Sequence, residues 1–454
     1  MKRYISLFVC VLTLSLHVYG QESTEKELES VRDHAEASAK EAVPADTAKK
    51  PAKEPKPEKQ DKPKPVFAEG PRRFFEFGID AGAGLANNFI GVGDILKQHI
   101  VLDLNKLGDK VRDDTGVSLD FDMALTPFFL NMNAGDHWGF GISTNVEGGI
   151  HVNLPKSLFT LISEGNLKNH SNGGDITAWG SVFADTRVDI HARISKLNKL
   201  KISIIPAMYV PLVYIPKSSI HYQLDADDDL SVSTSGEINV YSAFSLEDIG
   251  VDATSILNAK GFDISLEAEY PIFPILDVGA TVTHIPLVAA VLNNRMNIVL
   301  PEFNINSSEI LDTGTINTDF DLKREYESDV SYSVRRPLRF DFYAFYKPLK
   351  SNMLVLKPNI GFTLLTPAEK PYFNWGIDAR LNLLHFYKSF DNAYLFSVHL
   401  GTGLEETLWK HRLGFALNLR AFELDVEAGL RSQEFADSFK LHGLNIAVGL
   451  RFGW

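Results

Sequence analysis

The chain has 454 residues, a hydrophobic fraction of 44% and a formal net charge of −13 at pH 7. This hydrophobic fraction is too low for a helical membrane protein, whereas a transmembrane barrel has such a composition because only alternate residues of its strands face lipid. The acidic balance argues against nucleic acid as a partner, since phosphate binding needs a concentrated basic face. The single cysteine, Cys10, lies in the predicted leader. We therefore expect no disulfide and no thiol chemistry after cleavage.

Residues 1–20 have the pattern of a secretory signal peptide. Lys2 and Arg3 precede an apolar run, and Gly20 stands at the predicted cleavage site. Residues 21–73 are rich in Lys, Glu and Pro and cannot bury a core, so we expect an extended periplasmic linker there. Two interpretations of this linker stay open: a passive spacer, and a tether that contacts the cell wall or a partner. Residues 74–454 form the predicted barrel domain.

Alternation of apolar and polar residues runs through most of residues 74–454 and is clearest at the carboxyl end. Leu444, Ile446, Val448, Leu450 and Phe452 alternate with polar or small residues, and in a strand the two sets face opposite sides. About 14 such segments follow one another, an even number as in bacterial outer-membrane barrels. Every short turn is assigned to the end that holds both termini. A further alternating stretch at 315–333 would add a strand pair and raise the count to about 16, and this alternative stays open.

The predicted fold is therefore all-β, a transmembrane antiparallel up-and-down barrel. The polar face of one predicted strand carries Arg187, Asp189, His191 and Arg193. A charge that faces lipid at mid-depth costs about 2–4 kcal/mol. We therefore expect these four side chains to face the lumen.

The connection after the first strand contains a predicted amphipathic helix. Leu96, Ile100, Leu104 and Leu107 recur at helical spacing, and Asp94 stands at the position of an N-cap. An apolar stripe of this kind has to be buried. We expect the helix either to fold into the lumen as a plug or gate, or to pack over the outer rim.

Two long outer loops, at 215–260 and 292–336, hold apolar clusters. Apolar residues at a barrel mouth either pack loop on loop or receive an apolar ligand. The residues predicted to bind substrate are Phe244, Leu246, Ile249, Ile256, Leu257, Phe303 and Ile305.

No motif predicts an enzyme, a cofactor or a metal centre. The sequence has no Gly-x-Ser-x-Gly elbow, and its 13 histidines lack metal-binding spacing. The acidic run at 225–229 lacks the spaced ligands and the glycine of a calcium loop, so we expect a solvated loop tip there.

These features together resemble a known family of outer-membrane barrels. The terminal aromatic strand, the strand number, the helical insert and the two dominant outer loops resemble the long-chain fatty-acid transporter (FadL-like) family. Residues 84–96, GLANNFIGVGDIL, and 100–107, IVLDLNKL, are similar to the opening of its spirochaetal branch. Two features depart from the main branch: Trp454 replaces a terminal Phe, and a charged tail stands where a plug domain precedes the first strand.

The resemblance implies a monomeric channel in the cell outer membrane that takes up hydrophobic small molecules such as long-chain fatty acids. It implies capture between the two long outer loops and passage past an amino-terminal plug. The expected partners are the hydrophobic ligand, outer-membrane lipids and the barrel-assembly machinery, which would recognise the carboxyl-terminal strand. A general porin for polar solutes and a surface-exposed adhesin or antigen are the alternative functions.

Overall fold

The computed structural model describes most of the predicted barrel domain. The described residues are 74–89, 91, 111, 116–134, 137–164, 172–194, 197, 200–226, 230–247, 253–300, 303–305, 323–349, 351–385, 394–419 and 421–453. The predicted signal peptide, linker and helical insert lie outside them. None of the helices within these ranges is long and apolar enough to span a membrane.

Strands dominate the described residues, with three short helices in the connections. The helices are α1 (Lys156–Glu164), α2 (Ala253–Asn258) and α3 (Phe435–Ser438). The strands are β1 (Phe75–Asn87), β2 (Val117–Ala134), β3 (Trp138–Leu154), β4 (Asn172–Ile194), β5 (Leu200–Ala226), β6 (Leu230–Ser242), β7 (Gly261–Phe273), β8 (Leu276–Val288), β9 (Ala290–Val299), β10 (Phe303–Ile305), β11 (Lys323–Val334), β12 (Leu338–Tyr346), β13 (Leu354–Leu364), β14 (Tyr372–His385), β15 (Tyr394–Glu405), β16 (Leu408–Asn418), β17 (Phe422–Ser432) and β18 (Gly443–Gly453).

Fourteen of these strands form a closed antiparallel ring, as predicted. The ring runs from β1 to β5, continues through β7 and β8 to β12, and ends at β18. β18 pairs with β1 in a continuous register from Glu76↔Gly453 to Ala86↔Gly443. Closure leaves no edge strand in the ring, which is how a barrel satisfies every backbone hydrogen bond of its wall.

The other four strands, β6, β9, β10 and β11, lie outside the ring, and we refer to them as the rim sheet. β6 pairs with the second half of β5, from Val213↔Ser242 to Ala226↔Leu230. β9 pairs with β6 on one side and with β11 on the other, and β10 pairs with β6. The count of 16 ring strands is therefore wrong, because β11, the described part of the alternating stretch, pairs with β9 of the rim sheet and not within the ring.

The two ends of the barrel differ. Both chain termini of the ring, Phe75 and Gly453, lie at one end, the terminal end, and the rim sheet lies at the other, the loop end. The turn at 274–275 lies at the terminal end, as expected of a short turn. The prediction that every short turn lies there is wrong, because β15 and β16 pair through Glu405↔Leu408 and close a two-residue turn at the loop end.

The outer surface of the ring is apolar. In β18 the even-numbered residues face outward and the odd-numbered residues face inward. Leu444, Ile446 and Phe452 are exposed, whereas Gly443, Gly449 and Gly453 are buried. The same holds around the ring. Exposed outward residues include Ile79, Phe121, Phe140, Ile190, Ile204, Leu266, Phe342, Ile360, Phe373, Ile377, Leu400, Phe415 and Val426.

Candidate functional site: the barrel interior and its mouth

Inward-facing side chains form two ion-pair groups at the loop-end half of the lumen. In the first, Arg336 donates to both carboxylate oxygens of Asp263, at 2.7 and 2.8 Å, and also to Asp185. The Arg336 and Asp263 side chains are each only 1% exposed. Arg336 also lies 5.1 Å from the centre of the Tyr209 ring. This arginine thereby joins the end of the second long loop to strands β4, β5 and β7.

Arg187 extends the same group. Its guanidinium donates to Asp185 and to Glu147, each at 2.7 Å from Nη2. The expected inward orientation of this face of β4 is confirmed, because Asp185 lies between Arg187 and Arg336 inside the barrel. Two guanidinium groups and three carboxylates, on segments far apart in the chain, hold one side of the lumen.

The second group lies across the lumen on β2 and β15 to β17. Lys410 lies 2.8 Å from Glu405, and Arg431 pairs with Asp122. Close by, His151 approaches Asp120 at 2.5 Å and stacks on Trp179 with 3.7 Å between ring centres. Between the two groups lies a cavity of about 340 Å³, lined on one side by Glu147 and Arg336 and on the other by Asp122, Lys410 and Arg431.

Glycines in the wall give the large inward side chains room to lie against it. A Cβ on Gly414 of β16 would meet the imidazole of His399, and a Cβ on Gly279 of β8 would meet the ring of Tyr343. Because these side chains lie across a neighbouring strand, they do not extend straight toward the barrel axis. A second cavity, of about 540 Å³, occupies the terminal-end half of the lumen.

The predicted substrate-binding residues of the first long loop pack against protein. Phe244 is buried, and its carbonyl oxygen accepts a hydrogen bond from the Ser242 hydroxyl. Ile256 of α2 packs on the cluster around Tyr209, and Leu246 packs on the cluster of Ala178, Ile215 and Val240. Leu257 is partly buried in α2. The structure therefore packs Leu246 and Ile256 against strands of the barrel wall and of the rim sheet.

The remaining predicted residues are placed less fully. Phe303 and Ile305 lie on β10, where their backbones pair with Val232 and Leu230 of β6. Ile249 and the predicted gate residues lie outside the described residues, the latter being Asp94, Leu96, Ile100, Leu104 and Leu107.

Aromatic stacking holds the rim sheet to the barrel mouth. Tyr332 of β11 stacks on Tyr241 of β6, with 3.9 Å between ring centres, and approaches Tyr214 of β5 at 5.8 Å. Burial, with smaller contributions from Tyr332 and Glu369, raises the pKa of the Tyr214 phenol to about 12. The Tyr214 hydroxyl therefore stays protonated at neutral pH.

The outer wall carries an apolar groove of about 570 Å³ on β7, β8, β12 and β13. Its lining includes the small residues Ala268, Ala280 and Ala344 between the larger Tyr270, Phe342 and Ile360. Pro358 of β13 also lines the groove. The ladder between β12 and β13 has no residue pair between Tyr343↔Asn359 and Tyr346↔Leu356, the interval in which Pro358 lies. Pro358 has no amide hydrogen to donate, which accounts for a weak ladder there.

Sequence reasoning missed Arg336 and the groove. The Arg335-Arg336-Pro337 run at the end of the second long loop was a possible signal for the former. The groove had no signal, because Ala268, Ala280 and Ala344 are far apart in the chain and meet only through pairings such as Ala268↔Ala280. Within the described residues, no group of three or more His, Cys, Asp or Glu side chains is placed to hold a metal ion.

Comparison with solved structures returns two toluene transporters and a FadL homologue, among others. The Pseudomonas putida toluene transporter TodX has 7% identity and a TM-score of 0.44, with 84% of this chain and 89% of that one covered. The Ralstonia pickettii toluene transporter TbuX has 10% identity and a TM-score of 0.40, with 87% and 92% covered. A Pseudomonas aeruginosa FadL homologue has 9% identity and a TM-score of 0.41, with 84% and 90% covered.

These three matches cover most of both chains, at identities of 10% or less. No protein-family model matches the chain, and no curated protein matches its sequence.

Proposed function

We propose that this chain is an outer-membrane channel of the FadL-like kind that carries hydrophobic small molecules such as long-chain fatty acids. The observation that carries the membrane assignment is the closed ring with an apolar outer surface and a charged interior. Such a surface gains free energy in a bilayer, whereas inward charges stay hydrated or paired. Exposed Trp138, Tyr270 and Tyr346 at the terminal end suit the membrane interface.

The wall groove supports a hydrophobic cargo. A hydrophobic molecule concentrates in the bilayer around the barrel, and the groove offers it a concave apolar surface with few polar groups. The predicted loop residues Phe244, Leu246 and Ile256 would assist capture if their packing opened. The terminal strand β18, which closes the ring, is the segment that we propose the assembly machinery recognises.

Uptake of fluorescently labelled oleate into proteoliposomes tests this function. We expect faster uptake than in protein-free liposomes, and a severalfold loss in Ala280→Trp, because the indole fills the groove. Ala428→Trp is the matched control, since Ala428 is an exposed outward alanine on β17, away from the groove. Uptake no faster than in protein-free liposomes would overturn the proposal.

A second candidate, a porin for polar solutes, is favoured by the charged lumen with its two cavities. The two functions differ in planar bilayers. A porin gives large, steady single-channel conductance, whereas a barrel occluded at the loop-end ion pairs gives little. Sucrose release from the same proteoliposomes separates them further, because only the porin function predicts it.

A further inference from the structure

The cavity in the terminal-end half of the lumen has two unlike parts. Phe345 of β12 and Val355 of β13 line one part, and Gly82 of β1 and Ala124 of β2 line the side across the ring. Charges of both signs line the stretch between them on β14 to β18, and Lys357 of β13 and Asp80 of β1 flank this stretch. Its volume of about 540 Å³ is in the range of cavities that bind small molecules.

One ion pair in this cavity is loose. Arg380 of β14 and Asp425 of β17 are 4.0 Å apart from nitrogen to oxygen, which is too long for a hydrogen bond. The Arg380 side chain is 42% exposed and that of Asp425 is 20% exposed. His399 also lies 3.9 Å from Asp425, again beyond hydrogen-bond length.

The other charges that line the cavity are already engaged. Lys357 lies over the rings of Tyr343 and Phe345, at 4.9 and 5.2 Å from their centres, and Glu427 lies 3.3 Å from His399. Arg412 donates to Asp378 at 2.9 Å and lies 3.3 Å from Glu405. Arg451 lies 3.4 Å from Glu423 and 3.6 Å from Asp80. A guanidinium has five donors and a carboxylate accepts at about four positions. Arg380 and Asp425 are therefore the cation and the anion best able to bind something else.

Arg380 and Asp425 face the same small part of the cavity, so a ligand that binds there has to match both charges. A simple anion on Arg380 is repelled by Asp425, and a simple cation on Asp425 is repelled by Arg380. A zwitterion whose ammonium and carboxylate are about 3 Å apart, as in an α-amino acid, can lie head to tail along the pair. Val355 is directly opposite Arg380 in the β13–β14 register, so an apolar side chain would meet Val355 and Phe345.

We propose that this cavity binds a small zwitterion with an apolar body, of the α-amino acid class. Its carboxylate pairs with Arg380, its ammonium with Asp425, and its side chain contacts Phe345 and Val355. This site lies inside the lumen, apart from the outer-wall groove, and it does not depend on a hydrophobic cargo. The two proposals are tested separately, because oleate uptake tests the hydrophobic cargo and zwitterion binding tests this cavity.

Three probes with one phenylalkyl body test the site by calorimetry on the full-length barrel in detergent. L-phenylalanine carries both charges, 3-phenylpropionate carries only the carboxylate, and 2-phenylethylamine carries only the ammonium. We expect L-phenylalanine to bind about tenfold more tightly than either analogue. Equal or tighter binding of 3-phenylpropionate would overturn the proposal in favour of an anion site, and absence of L-phenylalanine binding would overturn it outright.

Two variants assign the charges. Arg380→Gln is expected to weaken L-phenylalanine binding about tenfold and to leave 2-phenylethylamine no weaker. Asp425→Asn is expected to weaken L-phenylalanine similarly and to leave 3-phenylpropionate no weaker. Arg295→Gln, on the rim sheet and paired with Glu327, is the matched control. Retained heat modifiability on gels shows that each variant is folded, and an equal effect of both variants on all three probes contradicts the assignment.

Discussion

Arg336 is bound by two carboxylates that are as deeply buried as its own guanidinium. Removing one partner of such a pair leaves an uncompensated charge in a dry environment, which is far costlier than losing an exposed pair. Arg336 comes from the segment between β11 and β12, whereas Asp185 and Asp263 belong to β4 and β7. Its contacts therefore fasten the end of the second long loop to β4 and β7 of the barrel wall.

Arg336→Ala is expected to lower the free energy of unfolding by about 3–5 kcal/mol, because Asp185 and Asp263 lose their shared cation. Urea unfolding in detergent, followed by tryptophan fluorescence, measures this change. Arg295→Ala is the control. Its pair with Glu327 is exposed on the rim sheet, so we expect a change of about 0–1 kcal/mol. Equal effects of the two variants would contradict the role given to Arg336.

At the scale of elements, the rim sheet is the part of the fold that a simple barrel does not need. β4 and β5 have 23 and 27 residues, whereas a spanning strand needs about 9–11. The surplus of β5 forms the edge on which β6 and then β9 and β11 pair. On one face of this sheet Glu237 accepts hydrogen bonds from the amides of Asn239, at 2.9 Å, and Asn297, at 2.5 Å.

These two hydrogen bonds hold the pKa of the Glu237 carboxyl below its ordinary value, and the bond from Asn239 lowers it more than the bond from Asn297 does. A carboxyl whose folded pKa is depressed stabilises the fold above its unfolded pKa, and this stabilisation is lost as pH falls through the folded pKa. We therefore expect amide-exchange protection of β6 and β9 to fall in acid, below about pH 4.5. Glu237→Gln should abolish that acid-dependent component.

Glu325→Gln is the control for this pH experiment, since Glu325 of the neighbouring β11 pairs with the exposed Lys323. We expect it to leave the acid dependence of β6 and β9 unchanged. The same acid dependence in Glu237→Gln as in the unmodified chain would refute the role of this carboxylate.

At the scale of the whole molecule, the seam between β1 and β18 closes the barrel. The register of β1 against β2 shifts between Gly78 and Asp80. A Cβ on Gly78 would meet the backbone carbonyl oxygen of Leu450 and the ring of Phe129. Because Leu450 is a ladder residue of β18, its carbonyl cannot retreat without loosening the seam.

Gly78→Ala is expected to destabilise the closed barrel by about 1–3 kcal/mol through this overpacking. Gly82→Ala, four residues along the same strand, is the control, because the nearest atom to its added Cβ is the Ala447 Cβ at 3.3 Å. The temperature at which the compact band disappears on gels measures both. Indistinguishable temperatures for the two variants would count against the importance of the seam.

Residue order alone was enough to predict the wall strands and the direction in which their two faces point. A lipid-facing side and a water-facing side impose a period of two on every spanning strand, so the pattern is local and can be read in segments such as 444–452. The same reasoning placed Arg187 inside, because a charge has no stable place in lipid. The candidate capture residues were found as apolar clusters, but their sequence could not distinguish loop packing from ligand binding.

The tertiary structure decided which strands and charges meet. The segment of β11 alternates like a wall strand, yet it pairs with β9 above the wall, because pairing depends on which edges are free and not on alternation. Arg336 and Asp185 are separated by 151 residues, and Arg380 and Asp425 come from strands that are not neighbours. Such contacts depend on closure of the ring, which brings distant inward faces together, and no local pattern records that closure.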